Sequence, residues 1–468
     1  MQNKNRFLKM MAVLMIAAQM VSAEDITNKF TDLNFRAEVY KAIGKTSPAP
    51  ILDSDVSGIK NLNVNRKGIK SLAGIEYFTE LKTLYCNYNE LTTLDISNCT
   101  ALNYLNFSGN KLKSLDVSNN LELTRLECSD HGNELTSIDL SKNTELVFLN
   151  LAYNKFTSLD VSKNTKLTFL GVCGNQLTTI DVSNNLALEN CSFHYNQLTE
   201  LDVSKNTNLR KIACEYNQLI SLDLSKNIKL DSLDCSNNQL TELNVSGCTA
   251  LTLLDCWDNQ LTELDLSNNS KLQVISCPRN QLKTLDMSNN PELTWLACDM
   301  NQLTTLNVSK NSKLTKLFCD RNQLTKLNVS NNIALKALRC YENQLTSLDL
   351  SNNTKLDSLL DCSYNQLTTL SLPNSTALPK LSCQGNQLTE LNLLNNKALT
   401  KVYVDRNLFN SKSDIVGWDE SKYSDHSYSP QRRKNKVTFN TNADSEVAPL
   451  IDVLSFEKIT EPAAPEKA

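Results

Sequence analysis

Histidine is almost missing from this chain. There are three in 468 residues, His131, His194 and His426, and none is spaced to pair a nucleophile with a base or to gather metal ligands. Glycine is scarce too, with 11 residues, and no phosphate loop, dinucleotide fingerprint or calcium-binding nonapeptide is present. Zinc-protease and related catalytic motifs are equally absent. These absences argue against the common hydrolase, nucleotide-binding and metal-dependent classes, so no catalytic residue, cofactor or metal is expected. A basic excess is lacking: 47 Lys and Arg stand against 51 Asp and Glu, a formal charge of -4. Such a balance gives no general pull toward nucleic acid or an anionic membrane. Beyond residue 23, no apolar run is long enough to span a bilayer.

The short apolar run at the start has a different meaning. Lys4, Arg6 and Lys9 precede an apolar stretch over 10–20, and Val21-Ser22-Ala23 then places small residues ahead of Glu24. This order predicts a secretory signal peptide over 1–23, with no membrane insertion after cleavage.

What fills the rest is a repeat. From Leu81 to Asn407 the chain keeps to L-x-x-L-x-C-x-x-N-Q-L-T-x-L-D-V-S-x-N-T-x. Sixteen copies are anchored on an asparagine column that runs from Asn89, Asn110 and Asn133 to Asn365, Asn386 and Asn407. The period is 21 residues except at His131-Gly132, where two are added, and near Leu359-Leu360, where one is. A degenerate coil at Ile59, Leu62 and Val64 leads in. The pattern matches the leucine-rich-repeat consensus. A coil this short cannot bury its leucines alone, so coils must stack and share one core. The predicted fold is a mostly β solenoid of about 16–17 coils, with parallel strands about 4.8 Å apart and a length of about 75 Å. The two halves of each copy read alike, L-x-x-L-x-C-x-x-N and L-x-x-L-x-V-x-x-N, which predicts two extended faces per coil and little room for helix.

The columns carry separate expectations. The asparagines should form a ladder, because an amide both donates and accepts and can satisfy turn backbone that would otherwise be buried unpaired. Eleven of the 15 cysteines share one inward slot: Cys86, Cys128, Cys214, Cys235, Cys256, Cys277, Cys298, Cys319, Cys340, Cys362 and Cys383. Phe107, Leu151, Val172, Phe193 and Val404 fill it elsewhere, so it is apolar, and reduced, buried thiols are expected rather than disulfides or zinc. Cys99, Cys173, Cys191 and Cys248 lie outside it, and their state stays open. The aspartate column (Asp95, Asp116, Asp139, Asp160, Asp181, Asp202, Asp223, Asp265, Asp286, Asp349) interchanges with Asn244, Asn307, Asn328 and Asn392. That interchange points to local hydrogen bonding rather than calcium.

The second half of each copy repeats almost unchanged, whereas the outward positions of the first half vary. A recognition face needs diversity, which assigns partner binding to the first half. The candidates there are Tyr85, Tyr88, Tyr104, Phe148, Tyr153, Phe169, Tyr195, Tyr216, Trp257, Trp295, Phe318 and Tyr341. Aromatic side chains bring large contact area at low entropic cost. Toward the C-terminal end the same face gains Arg279, Lys316, Arg321, Lys336, Arg339, Lys401 and Arg406.

Ahead of the repeats, Leu33, Phe35, Val39, Tyr40 and Ile43 recur at helical spacing between Asp32 and Gly44, predicting an amphipathic helical cap within 24–58. The solenoid is read over 59–407, a C-terminal cap and linker over 408–436, and a further segment over 437–468.

The L-x-x-L-x-C-x-x-N-Q-L-T-x-L-D-V-S-x-N-T repeat, with Gly68-Ile-Lys-Ser-Leu-Ala-Gly-Ile-Glu-Tyr77 as first coil, resembles the cysteine-containing repeats of internalin-like bacterial surface proteins of the internalin J type. Residues 437–468 resemble the beginning of a Listeria–Bacteroides (internalin B-type) repeat. The G-Y-x-F-x-G-W segment is missing and Ala443-Asp444 stands where two glycines are usual, so a truncated or released product is expected. The resemblance implies a secreted or surface-exposed adhesin, associated with virulence and monomeric, whose repeats bind a host or environmental protein or glycoprotein. A self-associating envelope component and the targeting subunit of a secreted enzyme or toxin are the alternatives.

Overall fold

Leucines that recur every few residues, with no stretch long enough for a helix between them, wind the chain into short flat coils. The computed structural model describes residues 23–432. The leader read over 1–23, apart from Ala23, and the segment read over 437–468 lie outside them. Among the described residues, eighteen strands of three residues each form one parallel sheet from Asn61–Asn63 to Asp425–Ser427. Coil follows coil in strict register: Leu84 pairs with Leu105, Leu105 with Leu126, and Leu126 with Leu149. The central residue of each strand up to Lys401–Tyr403 points inward and is buried, with the two flanking it pointing outward; in the last strand the central His426 is exposed. This is the parallel leucine-rich-repeat solenoid that the repeat predicts.

The second halves are less regular than expected. Ladder strands form there at Ser221–Asp223 with Glu242–Asn244, at Ser347–Asp349 with Thr369–Ser371, and at Leu391–Asn392 with Ile415–Val416. Elsewhere among the described residues their backbones pair only at the isolated bridge Asp286–Asn307, and the coils are held together by the leucines and asparagines beneath. At each aspartate the side chain turns back on its own backbone: Asp95 Oδ1 accepts from Ser97 N at 3.0 Å and Asp265 Oδ1 from Ser267 N at 2.9 Å. These bonds hold the carboxyl pKa values of Asp95 and Asp265 below the usual range. Asn244, Asn307 and Asn328 make the same bond, which explains the interchange without a metal.

The asparagine ladder closes each turn. Asn259 Nδ2 donates to Cys235 O and Cys256 O at 3.0 and 3.1 Å, while its Oδ1 accepts from Leu240 N at 2.9 Å. A second ladder sits under the other face, where Asn227 Nδ2 reaches Val203 O and Asn206 O, both at 3.0 Å. All fifteen thiols are free and buried. Those in the shared slot lie in the core, where Cys86 Sγ, for example, donates to Asn106 O of the next coil at 3.5 Å.

Both described ends are covered. Asp32 caps a helix, α1 (Leu33–Ala42), by accepting from Asn34 N and Phe35 N, and its other oxygen accepts from Lys70 N of the first coil at 2.7 Å. Phe35, Val39 and Tyr40 face the core, but Leu33, counted with them by spacing, is 68% exposed. At the other end, residues 408–432 add one more coil, whose strand Asp425–Ser427 pairs with Lys401–Tyr403. Trp418 packs there against Tyr423, His426 and Tyr428.

Candidate recognition face

The register that buries one leucine per strand also sets out four outward columns on the main sheet. The first strand residue, the third, and the residue after the inward cysteine slot make three columns. The residue just before the ladder asparagine makes the fourth. All twelve aromatic candidates fall on these columns, and none is buried. Tyr104, Phe148, Phe169 and Trp295 begin strands, Tyr85 and Phe318 end them, and Trp257 and Tyr341 follow the slot.

Tyr88, Tyr153, Tyr195 and Tyr216 are placed differently. They sit in the turn with positive φ, between 52° and 56°, at the rim of the face rather than on the strand. Three tyrosines of this column lie over a glycine in the next coil. A Cβ on Gly109, Gly174 or Gly385 would come within 2.7, 2.5 and 2.7 Å of the rings of Tyr88, Tyr153 and Tyr364. Where the next coil also carries tyrosine, the rings stack: Tyr195 and Tyr216 lie 4.4 Å apart at 10°.

The strand aromatics form two runs. In the first, Tyr85 meets Tyr104 edge-on at 4.9 Å, and Phe148 and Phe169 stack at 4.3 Å and 6°. Arg125 joins the halves, its guanidinium 3.9 Å from the Phe148 ring centroid and 5.2 Å from that of Tyr104. Its charge is met by buried Glu127, so the run presents apolar surface with little net charge. In the second, Lys316 Nζ lies 4.2 Å over Trp295, and Arg339 lies between Phe318 and Tyr341 at 5.0 and 5.4 Å while pairing with Asp320 at 3.0 Å. Of the basic residues expected here, Lys336 stands off the strand at the lateral edge.

A third feature, not among the columns singled out from the repeat, is a set of carboxylates sunk into this face. Glu127, Asp255, Asp299 and Asp320 are each at most 6% exposed. Burial, with Asp320 beside it, pushes Asp299 up to about 7. Burial also raises Asp320, although Arg339 pulls the other way. The available signal was adjacency: a carboxylate next to an inward cysteine must stand on the outward surface, between neighbouring strands. Among the described residues, no group of three or more His, Cys, Asp or Glu side chains is arranged to hold a metal ion.

No family model matches the chain. Internalin J of Listeria monocytogenes is 40% identical over 71 residues, which is 15% of this chain and 8% of that protein's length. The solved functional domain of InlJ from Listeria monocytogenes, which includes a cysteine ladder, aligns with a TM-score of 0.69 at 37% identity, covering 74% of this chain and 77% of that one. A leucine-rich-repeat protein of Leptospira interrogans aligns with a TM-score of 0.64 at 25% identity, covering 71% and 92%. With the coil period, the cysteine slot and the asparagine ladder in place, the chain belongs to the internalin-like leucine-rich-repeat proteins of the cysteine-ladder, internalin J type.

Proposed function

We propose that the chain is a secreted or surface-exposed bacterial binding module, an adhesin or host-interaction protein, that recognises a protein or glycoprotein through the varied face of its main sheet and performs no catalysis. The supporting observation is the aromatic run Tyr85, Tyr104, Phe148 and Phe169. It lies half-buried in successive coils with Arg125 neutralised inside it. An apolar strip on a rigid sheet, with its own charge already compensated, suits an interface core that excludes water. The second face offers the same side chains coil after coil and, among the described residues, has no comparable aromatic strip. Among the described residues, no helix is long and apolar enough to cross a membrane.

Adherence of labelled protein to host-cell surfaces tests this reading. Phe148→Ala with Phe169→Ala should reduce binding at least about tenfold, since central aromatic anchors carry most interface energy. Thr→Ala changes on the second face should leave binding intact. Equal binding by all variants would remove the face assignment, and self-association without any surface ligand would favour a structural envelope role. N-terminal sequencing of exported protein should begin at Glu24.

A further inference from the structure

Twice on this face, the chain answers a buried carboxylate beside aromatic rings with an arginine of its own. Arg125 sits against Phe148 and Tyr104 and pairs with Glu127. Arg339 sits against Phe318 and Tyr341 and pairs with Asp320. In the coils between them the same ingredients occur without the cation. Asp234 and Asp255 face each other in register on adjacent strands. Glu215 lies one coil before Asp234, two residues beyond Ala213, the register partner of Asp234. Trp257 follows Asp255 in the chain, and its backbone N donates to Asp255 Oδ1 at 3.4 Å.

None of the charges around this row is a counter-ion. Among the described residues, no lysine or arginine pairs with Glu215, Asp234 or Asp255; Lys211, at the start of its strand, is exposed, and Arg279, in the turn two coils on from Asp234, makes no ion pair with them. His194 approaches Glu215 at 3.6 Å, but burial lowers its pKa to about 4, so it brings no charge at neutral pH. Asp258 in the neighbouring turn adds only more negative charge. One polar atom at the site also lacks a hydrogen-bond partner. Glu215 Oε2 is buried with none, and Ser276, which is 3% exposed and paired in register with Asp255, turns its hydroxyl to the Asp255 carboxyl. Trp257, unlike Trp295, Phe318 and Tyr341, carries no cation over its ring.

We propose that Glu215, Asp234 and Asp255, with the Trp257 ring beside them, form a receptor site for one basic side chain, arginine or lysine, supplied by a partner protein. The site deepens the binding role proposed above and rests on it. An incoming guanidinium would find what Arg125 and Arg339 find in their own coils: carboxylate oxygens to accept its N–H groups and an aromatic face to lie against. The partner that fits has a basic residue placed to meet these central coils while an apolar patch covers the Tyr85–Phe169 run, some three coils nearer the N-terminal cap.

Fluorescence anisotropy with a labelled tetra-arginine peptide tests the site on the intact chain. The isosteric triple variant Glu215→Gln, Asp234→Asn, Asp255→Asn should lose affinity about tenfold or more, and Trp257→Ala should weaken binding several-fold. A control with three carboxyls changed to amides on the second face, Asp265→Asn, Asp286→Asn, Asp349→Asn, should stay within about twofold. Absence of binding to the wild type, or equal losses in both triple variants, overturns the proposal. Should the first triple variant fail to fold, Asp234→Asn alone, at a partly buried position, gives the same reading. A natural partner whose binding depends on Phe148 and Phe169, but not on these carboxylates, would leave the binding face standing and remove this site.

Discussion

The thiol of Cys248 donates to Leu224 O at 3.4 Å, from the position where, one coil earlier, Asn227 Nδ2 donates to Val203 O at 3.0 Å. Cys99 does the same with Ile75 O. Both cysteines therefore stand in for an asparagine of the second ladder. The substitution is apt because the amide is only half used there: Asn206, Asn227, Asn269 and their equivalents bury an Oδ1 with no partner. A thiol supplies the donor and leaves no strong acceptor stranded. Cys248→Asn should therefore hold stability within about 1 kcal/mol, whereas Cys248→Leu, which removes one of the two hydrogen bonds at Leu224 O (that from Asn227 N remains) and overfills the turn, should cost about 2–3 kcal/mol. Urea unfolding midpoints compare the two, and an equal loss in both would show that the thiol bond contributes nothing.

The main thiol column gives a second prediction. Every cysteine is buried, and burial raises the thiols well above their usual range, Cys128 to about 12 and Cys173 to about 11. The thiolate is the reactive form, so native protein should react negligibly with a thiol reagent at pH 8. Unfolding without reductant should then release fifteen reactive groups. A markedly lower number would mean that disulfides link the coils.

The sequence showed the solenoid because its signals are periodic: a polar residue that recurs at one inward position, as Asn259 does, has a single job in every coil. Cys99 and Cys248 were harder, since their role rests on a slot shared with asparagine rather than on cysteine chemistry. Cys191 occupies a leucine slot, paired in register between Leu170 and Ile212. The twelve aromatics were legible as outward, but their division between strand and turn depends on backbone conformation. Least legible was the carboxylate row. Whether Asp234 or Asp255 meets a cation depends on side chains from neighbouring coils, 21 residues away in the chain, and on how far each one reaches.

The tyrosine–glycine pairs should behave as units. Gly174 has φ of +65°, and a Cβ there would press 2.5 Å from the Tyr153 ring. Gly174→Ala should cost about 2 kcal/mol, about half of it from the left-handed backbone and the rest from displacing the ring. In a Tyr153→Ala background the ring contribution vanishes, so the same glycine change should cost only about 1 kcal/mol. A double-mutant cycle on unfolding midpoints reads the difference directly, and additive losses would mean that Tyr153 moves aside freely.

The carboxylate row also predicts an uncommon dependence of stability on pH. Burial, with Asp234 beside it, pushes Glu215 from 4.5 up to about 9, and burial raises Asp234 and Asp255 in the same direction. A carboxyl whose folded pKa exceeds its unfolded one keeps a proton that the unfolded chain has released. Its contribution is complete below the unfolded pKa and is withdrawn as pH rises toward the folded one. His194 acts in the opposite sense at lower pH: burial depresses it from 6.5 to about 4, so stability falls as the medium is acidified through that range. The two effects leave a clear window between pH 6.5 and 9. There the wild type should lose up to about 1 kcal/mol per pH unit, and Glu215→Gln should flatten that slope. Equal slopes in the two proteins would show that Glu215 holds no proton at neutral pH. A bound guanidinium favours the ionised carboxylates, so affinity for the tetra-arginine peptide should rise across the same window and binding should release protons. Affinity independent of pH there would mean that the peptide binds away from the row, whatever its dependence on salt.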